Sequence, residues 1–320
     1  MVAAQLKYRP RASSAAAAPW IAHRERGSAL MMRFMAFVSL RLGRRISRIV
    51  LYGIAAYFLV FAPTARGHMR RYLRRALARE PTGVDRYRLL LSFASTIHDR
   101  LYFTCNRFDE FEISVDGSAL IAARTLRGEG AILMGAHLGS FEATRALGQR
   151  QPGLQVALAM YEDNARKINA LLAAVNPGLA LDIISLGTMD SMLQIRSRLD
   201  AGAFVGVLGD RSFGAERCVR LEFLGAPAHF PTSAMRAAAI LRRPVIFMAG
   251  LYRGANRYHI VFEELADFSQ STASNREQAI HIAIARYATV LERYCLSDPF
   301  NWFNFFDFWQ ELPAATTSAP

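Results

Sequence analysis

The stretch AILMGAHLGSFE, residues 131–142, decides how the rest of the chain folds. Its first half, 131–136, is an unbroken apolar run with the length and composition of a strand buried on both faces. Gly139 permits a tight turn, and Ser140 is placed to cap a helix running through residue 150. His137 therefore stands where a buried strand ends, the place where open α/β sheets present chemically active groups.

Outward from this corner the same texture repeats. Apolar runs at 154–160, 181–185, 203–208, 219–223, 245–251 and 258–262 read as strands. Amphipathic stretches at 165–175, 189–199, 232–241 and 275–294 read as helices between or after them. Alternation of this kind specifies an α/β fold, a mixed sheet flanked by helices. Before residue 112 the pattern is helical instead, over 30–79 and 85–105, with a break at 81–83. The expected division is a poorly ordered tail at 1–27, a basic helical membrane-docking region at 28–110, and the domain carrying the site at 111–320.

Charge follows that division. Residues 1–100 hold 19 Lys or Arg against 4 Asp or Glu, whereas residues 101–320 hold 20 against 22. A basic segment serves either nucleic acid or an anionic lipid surface. Here Arg41, Arg44, Arg45 and Arg48 lead into the uncharged run 49–63, and Arg66, Arg70, Arg71, Arg74, Arg75 and Arg79 follow it. Apolar neighbours favour lipid, and no nucleic-acid motif is present. The run falls short of the roughly 20 residues that cross a bilayer upright. An interfacial or shallowly inserted helix is expected, with a single span and a buried core helix as alternatives. The three cysteines, Cys105, Cys218 and Cys295, are far apart, so neither a disulfide framework nor a zinc site is expected. Walker A, GxGxxG and GxSxG patterns are absent.

His137 and Glu142 together suit one chemistry. A neutral imidazole takes the proton of an attacking hydroxyl, and a carboxylate on its other ring nitrogen fixes the tautomer. In one continuous helix residues five apart lie about 140° from each other. A strand–turn–helix corner removes that obstacle and lets Glu142 swing back to His137. The spacing alone is weak, because His259 and Glu264 repeat it; that second pair lies in an alternating strand pattern where the two side chains face opposite ways. Asp210 ends another buried strand on what reads as the same sheet edge, with Arg211 beside it. Arg166 and Asn169 lie three apart on a helix and face either one site, where Arg166 suits a phosphate or pantetheine group, or solvent together with Lys167. Of the remaining features, 300–309 holds seven aromatics in ten residues and reads as sealed core or membrane-interface surface. Gly225, Ala226 and Pro227 read as a plain turn, and His98 and Asp99 as structural.

In order and wording these segments resemble the bacterial lipid A biosynthesis (lauroyl/myristoyl) acyltransferase family, within the lysophospholipid acyltransferase superfamily, over roughly residues 30–310. HLGSFE resembles its histidine–glutamate motif, which implies catalytic roles for His137 and Glu142. YEDNARKINALL resembles the next block, with Arg166 and Asn169 in its arginine and asparagine places. GDRSFGAERCVRLEFLGAPAHFPTSAMRAA resembles a third, with Asp210, Gly214, Gly225 and Pro231 in position. The chain has Asp210–Arg211 where the family usually has Asp-Gln, and its aromatic ending carries Phe and Asp. Its basic N-terminal region is similar to a divergent branch linked to aryl-polyene pigment or glycolipid synthesis.

The resemblance implies an O-acyltransferase with no bound cofactor, taking its acyl group from an acyl carrier protein or coenzyme A thioester. It also implies a lipid or glycolipid acceptor and work at the cytoplasmic face of the cell inner membrane. Two alternatives stay open: a glycerophospholipid acyltransferase of the lysophosphatidate type, and a non-catalytic membrane adaptor of a biosynthetic complex.

Overall fold

A computed structural model describes residues 29–150, 153–161, 182–187, 190–211 and 217–310. The expected tail at 1–27 and helix at 165–175 lie outside the described residues, as do Arg166, Asn169 and Gly214.

The chain opens with helices α1 (Ala29–Phe61), α2 (Pro63–Ala76) and α3 (Gly83–Thr104). The body then follows as β1 (Glu112–Asp116), α4 (Ser118–Leu126), β2 (Ile132–Gly135), α5 (Phe141–Arg150), β3 (Val156–Tyr161) and β4 (Ile183–Leu186). After these come α6 (Ser191–Asp200), β5 (Phe204–Leu208), β6 (Cys218–Phe223), β7 (Ala226–Pro231) and α7 (Ser233–Leu241). The long strands β8 (Pro244–Tyr252) and β9 (Arg257–Asp267) and helix α8 (Arg276–Ser297) close it.

Seven strands make one mixed sheet in the order β1-β9-β8-β2-β5-β3-β4. Every pair is parallel except β8 and β9, which turn back on each other. The fold is thus the α/β class read from the sequence. β2 lies between β8 and β5, and its neighbours alternate by face as a pleated strand demands. Ile132 and Met134 join the larger core with Tyr287 and Trp302, while Leu133 joins Ile121, Phe204 and Ile246 on the other side. Helices cover both faces, which is why all nine residues of β8 are buried.

The strands β6 and β7 form a separate hairpin. Its loop is Leu224 and Gly225 alone, both at positive φ (50° and 69°), the geometry of a two-residue hairpin turn. The plain turn expected over Gly225, Ala226 and Pro227 is therefore narrower, and Ala226 already begins β7. The short elements β1 and α4 gave no clear periodic signal, being only 5 and 9 residues long.

The N-terminal helices are tied down by one strip of α1. Arg44, Ser47, Leu51 and Ala55 are buried at helical spacing. Arg44 donates to both oxygens of Asp99 on α3, at 2.7 Å each, and the Tyr258 hydroxyl donates to the same carboxylate at 2.8 Å. His98 reaches the Ser47 hydroxyl at 2.8 Å. His98 and Asp99 are structural, as the sequence indicated. The opposite face of α1 is apolar and exposed: Ile49, Tyr57, Val60 and Phe61 keep 67, 54, 57 and 59 % of their surface. Among the described residues no single helix is long and apolar enough to cross a membrane. The stretch Arg41–Phe61 and α2, meeting at 97°, form one bent pair that passes by length and composition.

Candidate active site

Two backbone hydrogen bonds build the corner after β2. Gly139 adopts φ 73°, and a Cβ there would lie 2.1 Å from the Gly250 carbonyl oxygen. That approach lets Ser140 N donate to Gly250 O at 2.7 Å, while Gly139 N donates to Asn301 O at 2.8 Å. Ser140 then caps α5, its hydroxyl accepting from Ala143 N at 3.3 Å. The strand, turn and capped helix read from residues 131–142 are all present.

His137 and Asp210 meet because β2 and β5 are parallel neighbours. Gly135 stands opposite Leu208, so the residues two further along each strand leave the sheet side by side. Asp210 Oδ1 lies 2.9 Å from His137 Nδ1, and its Oδ2 accepts from the His137 backbone N–H at 3.0 Å and from Trp302 Nε1 at 3.1 Å. With Nδ1 bonded to a carboxylate, the ring carries its proton there and presents Nε2 as a base. The Asp210 side chain is 1 % exposed and that of His137 27 %, so the ring keeps an open side.

The electrostatics suit that role. Burial alone would raise the Asp210 carboxyl, but the facing His137, the nearby Arg211 and the His137 N–H together hold it well below the usual carboxylate range. Burial lowers the His137 imidazole below its ordinary value of 6.5; Arg211 adds to the fall and Asp210 opposes it. The pair therefore holds an ionised carboxylate and a neutral imidazole near neutral pH.

Glu142 occupies a different place from the one the spacing suggested. It is the second residue of α5, and its Oε1 lies 2.6 Å from Arg100 Nε on α3. Ser140 Oγ donates to its Oε2 at 3.4 Å. The carboxylate on the ring nitrogen is that of Asp210, because neighbouring strands bring residue 210 to the ring while the first turn of α5 aims Glu142 at α3. His259 and Glu264 do not form a pair: His259 Nδ1 meets the Ser114 hydroxyl at 2.8 Å, and Glu264 accepts from Arg124 at 2.8 Å.

Arg211 is fixed beside the pair. It donates to Phe303 O at 3.2 Å and its guanidinium lies 4.9 Å above the Phe306 ring. Phe303 N in turn donates to His137 O at 2.7 Å. Within the aromatic segment, Asn301, Trp302, Phe303 and Phe306 are thus site scaffold, with Trp302 fully buried, while Trp309 belongs to the packed core behind them. The legible signal for that was Asn301 inside the aromatic run, since burying an amide without partners is costly. Asn301 finds them in Tyr252, accepting from its N at 2.7 Å and donating to its O at 3.1 Å. Among the described residues no group of three or more His, Cys, Asp or Glu is placed to hold a metal ion.

The arrangement can remove a proton from a hydroxyl held against Nε2. The sequence found no match among curated proteins. It does match the family profile of the bacterial lipid A biosynthesis acyltransferases over residues 27–311, nearly the whole chain. A strand-end histidine, a turn glycine and an aspartate from the neighbouring strand thus sit within a chain that belongs to the bacterial lipid A biosynthesis acyltransferase family.

Proposed function

We propose that the chain moves a fatty or polyene acyl group from a thioester, of acyl carrier protein or coenzyme A, onto a hydroxyl of a membrane lipid or glycolipid. The observation that carries this is the 2.9 Å contact between His137 Nδ1 and Asp210, which leaves Nε2 to act. His137 takes the hydroxyl proton as the oxygen attacks the thioester carbonyl, and Asp210 steadies the imidazolium that forms. The collapsing tetrahedral species expels the thiolate, which takes up the proton, so no serine or cysteine ester is needed. Arg211, held by the Phe303 carbonyl and the Phe306 ring, is a cation beside this chemistry and suits an anionic group of donor or acceptor. Arg166 and Asn169 are proposed as further substrate contacts on their motif alone.

The test is acyl transfer in membranes from cells expressing wild type or His137→Ala, with a labelled acyl thioester and extracted host lipids. A labelled lipid from wild type and none from His137→Ala, at equal protein level, is the expected outcome. Equal product from both would favour the adaptor alternative.

We also propose that α1 and α2 hold the protein on the cytoplasmic face of the inner membrane. The support is the exposed apolar face of α1 bordered by arginines, with no Asp or Glu between residues 29 and 79. Flotation of the full chain with vesicles should show binding that is strongest on anionic lipid and falls on replacing Tyr57, Val60 and Phe61 together by Ser. Unchanged flotation of that triple variant would refute this placement.

A further inference from the structure

Asp210 has two oxygens, and the reaction proposed above uses only one of them on the imidazole ring. We infer that Trp302 is a positioning residue for acyl transfer, its indole N–H fixing the second oxygen so that Asp210 cannot turn away from His137. The inference rests on the His137–Asp210 reading. Oδ2 accepts from Trp302 Nε1 at 3.1 Å and from His137 N at 3.0 Å, so rotating the carboxylate out of line breaks all three of its bonds.

The indole itself has nowhere to go. It is fully buried and meets Tyr72 at 4.9 Å, Phe308 at 4.9 Å and Phe223 at 5.4 Å between ring centres, each near edge-to-face. Its chain neighbours stitch the catalytic loop as well. Asn301 O accepts from Gly139 N and Phe303 N donates to His137 O, on either side of the Trp302 contact. A ring fixed by its surroundings therefore fixes a carboxylate, and the carboxylate fixes the base.

Trp309 supplies a matched control. It packs against Trp302 with 6.2 Å between ring centres, and its own indole N–H also donates at 3.1 Å, but to the Phe223 carbonyl rather than to Asp210. Trp302→Phe and Trp309→Phe thus remove the same chemical group from one aromatic cluster. One hydrogen bond to a charged group corresponds to about tenfold or more in rate.

The experiment compares both variants with wild type in the full-length, membrane-bound protein, measuring kcat, KM and the proton resonance on His137 Nδ1. Trp302→Phe should lose about tenfold or more in kcat at unchanged KM, with that resonance displaced. Trp309→Phe should keep wild-type kcat and resonance even where its thermal stability falls as far. Should Trp302→Phe fail to fold, benzothienylalanine at position 302 keeps the ring shape without the N–H and should show the same loss. Equal kcat for the two tryptophan variants, or full activity with the sulfur analogue, would overturn the inference. Activity retained by His137→Ala and Asp210→Asn would instead bring down the underlying mechanism.

Discussion

Asp210→Asn should reduce acyl transfer by about 10⁴-fold while Glu142→Gln reduces it less than about tenfold. An asparagine keeps the shape of Asp210, but its amide nitrogen or oxygen must now face His137 Nδ1 without a negative charge. The ring then loses both its fixed tautomer and the group that stabilises its protonated form. Glu142 faces Arg100 instead, and both side chains are partly exposed, at 16 and 30 %. A partly solvated pair of this kind is worth about 0.2–1 kcal/mol.

The same kinetics carry a pH signature. Burial depresses the imidazole, so the acid limb of kcat/KM should lie below 6.5 in wild type, activity falling as pH falls through it. Asp210 is the group that opposes that depression, so in the residual activity of Asp210→Asn the limb should move lower still. Arg211→Gln removes a cation that lowers the imidazole, and its limb should move up. Glu142→Gln as damaging as Asp210→Asn would return the ring partner's role to Glu142.

His137 was legible because its signal is local: a buried run, a turn glycine and a capping serine within twelve residues. Asp210 was legible as a strand end. Which carboxylate meets the ring was not, since that depends on β2 and β5 being neighbours, and no spacing within either strand encodes the order of strands. Sequence proximity favoured Glu142, but five residues around a tight corner can point anywhere, and here the Glu142 side chain meets Arg100. Trp302 was hidden among aromatics whose abundance is explained by core packing, so its one polar atom gave no separate signal.

Asp99→Asn should destabilise the fold by about 3–5 kcal/mol. Arg44 is 8 % exposed and Asp99 is 0 % exposed, and the carboxylate also holds Tyr258. Removing its charge leaves a guanidinium buried between α1, α3 and the Phe111 ring, 4.7 Å away, with nothing to balance it. Denaturant unfolding in detergent should show the loss directly. Arg44→Met combined with Asp99→Leu should recover much of it, because a buried pair replaced by apolar groups is often close to neutral. A loss under about 1 kcal/mol in Asp99→Asn would mean that water reaches the pair.

That ion pair also marks how far the N-terminal region was readable. Helices over 30–79 and 85–105 follow from periodicity, and α1, α2 and α3 occupy those stretches. The run of arginines read as one basic surface, yet Arg44 is turned inward by a partner 55 residues away. Composition records how many charges a segment carries and leaves their direction to the packing.

Trp302 also sets a clock. Ribosomes add about 5–20 residues each second, so Asn301–Phe303 leaves the ribosome many seconds after the His137 loop it must clamp. Until then Gly139 N and His137 O lack their partners, and Asp210 lacks one of its donors. α1 and α2 emerge long before that. A growing chain would thus meet the lipid surface proposed for those helices while its base is still unaligned, and acyl transfer would begin only once Asn301–Phe303 closes over the loop.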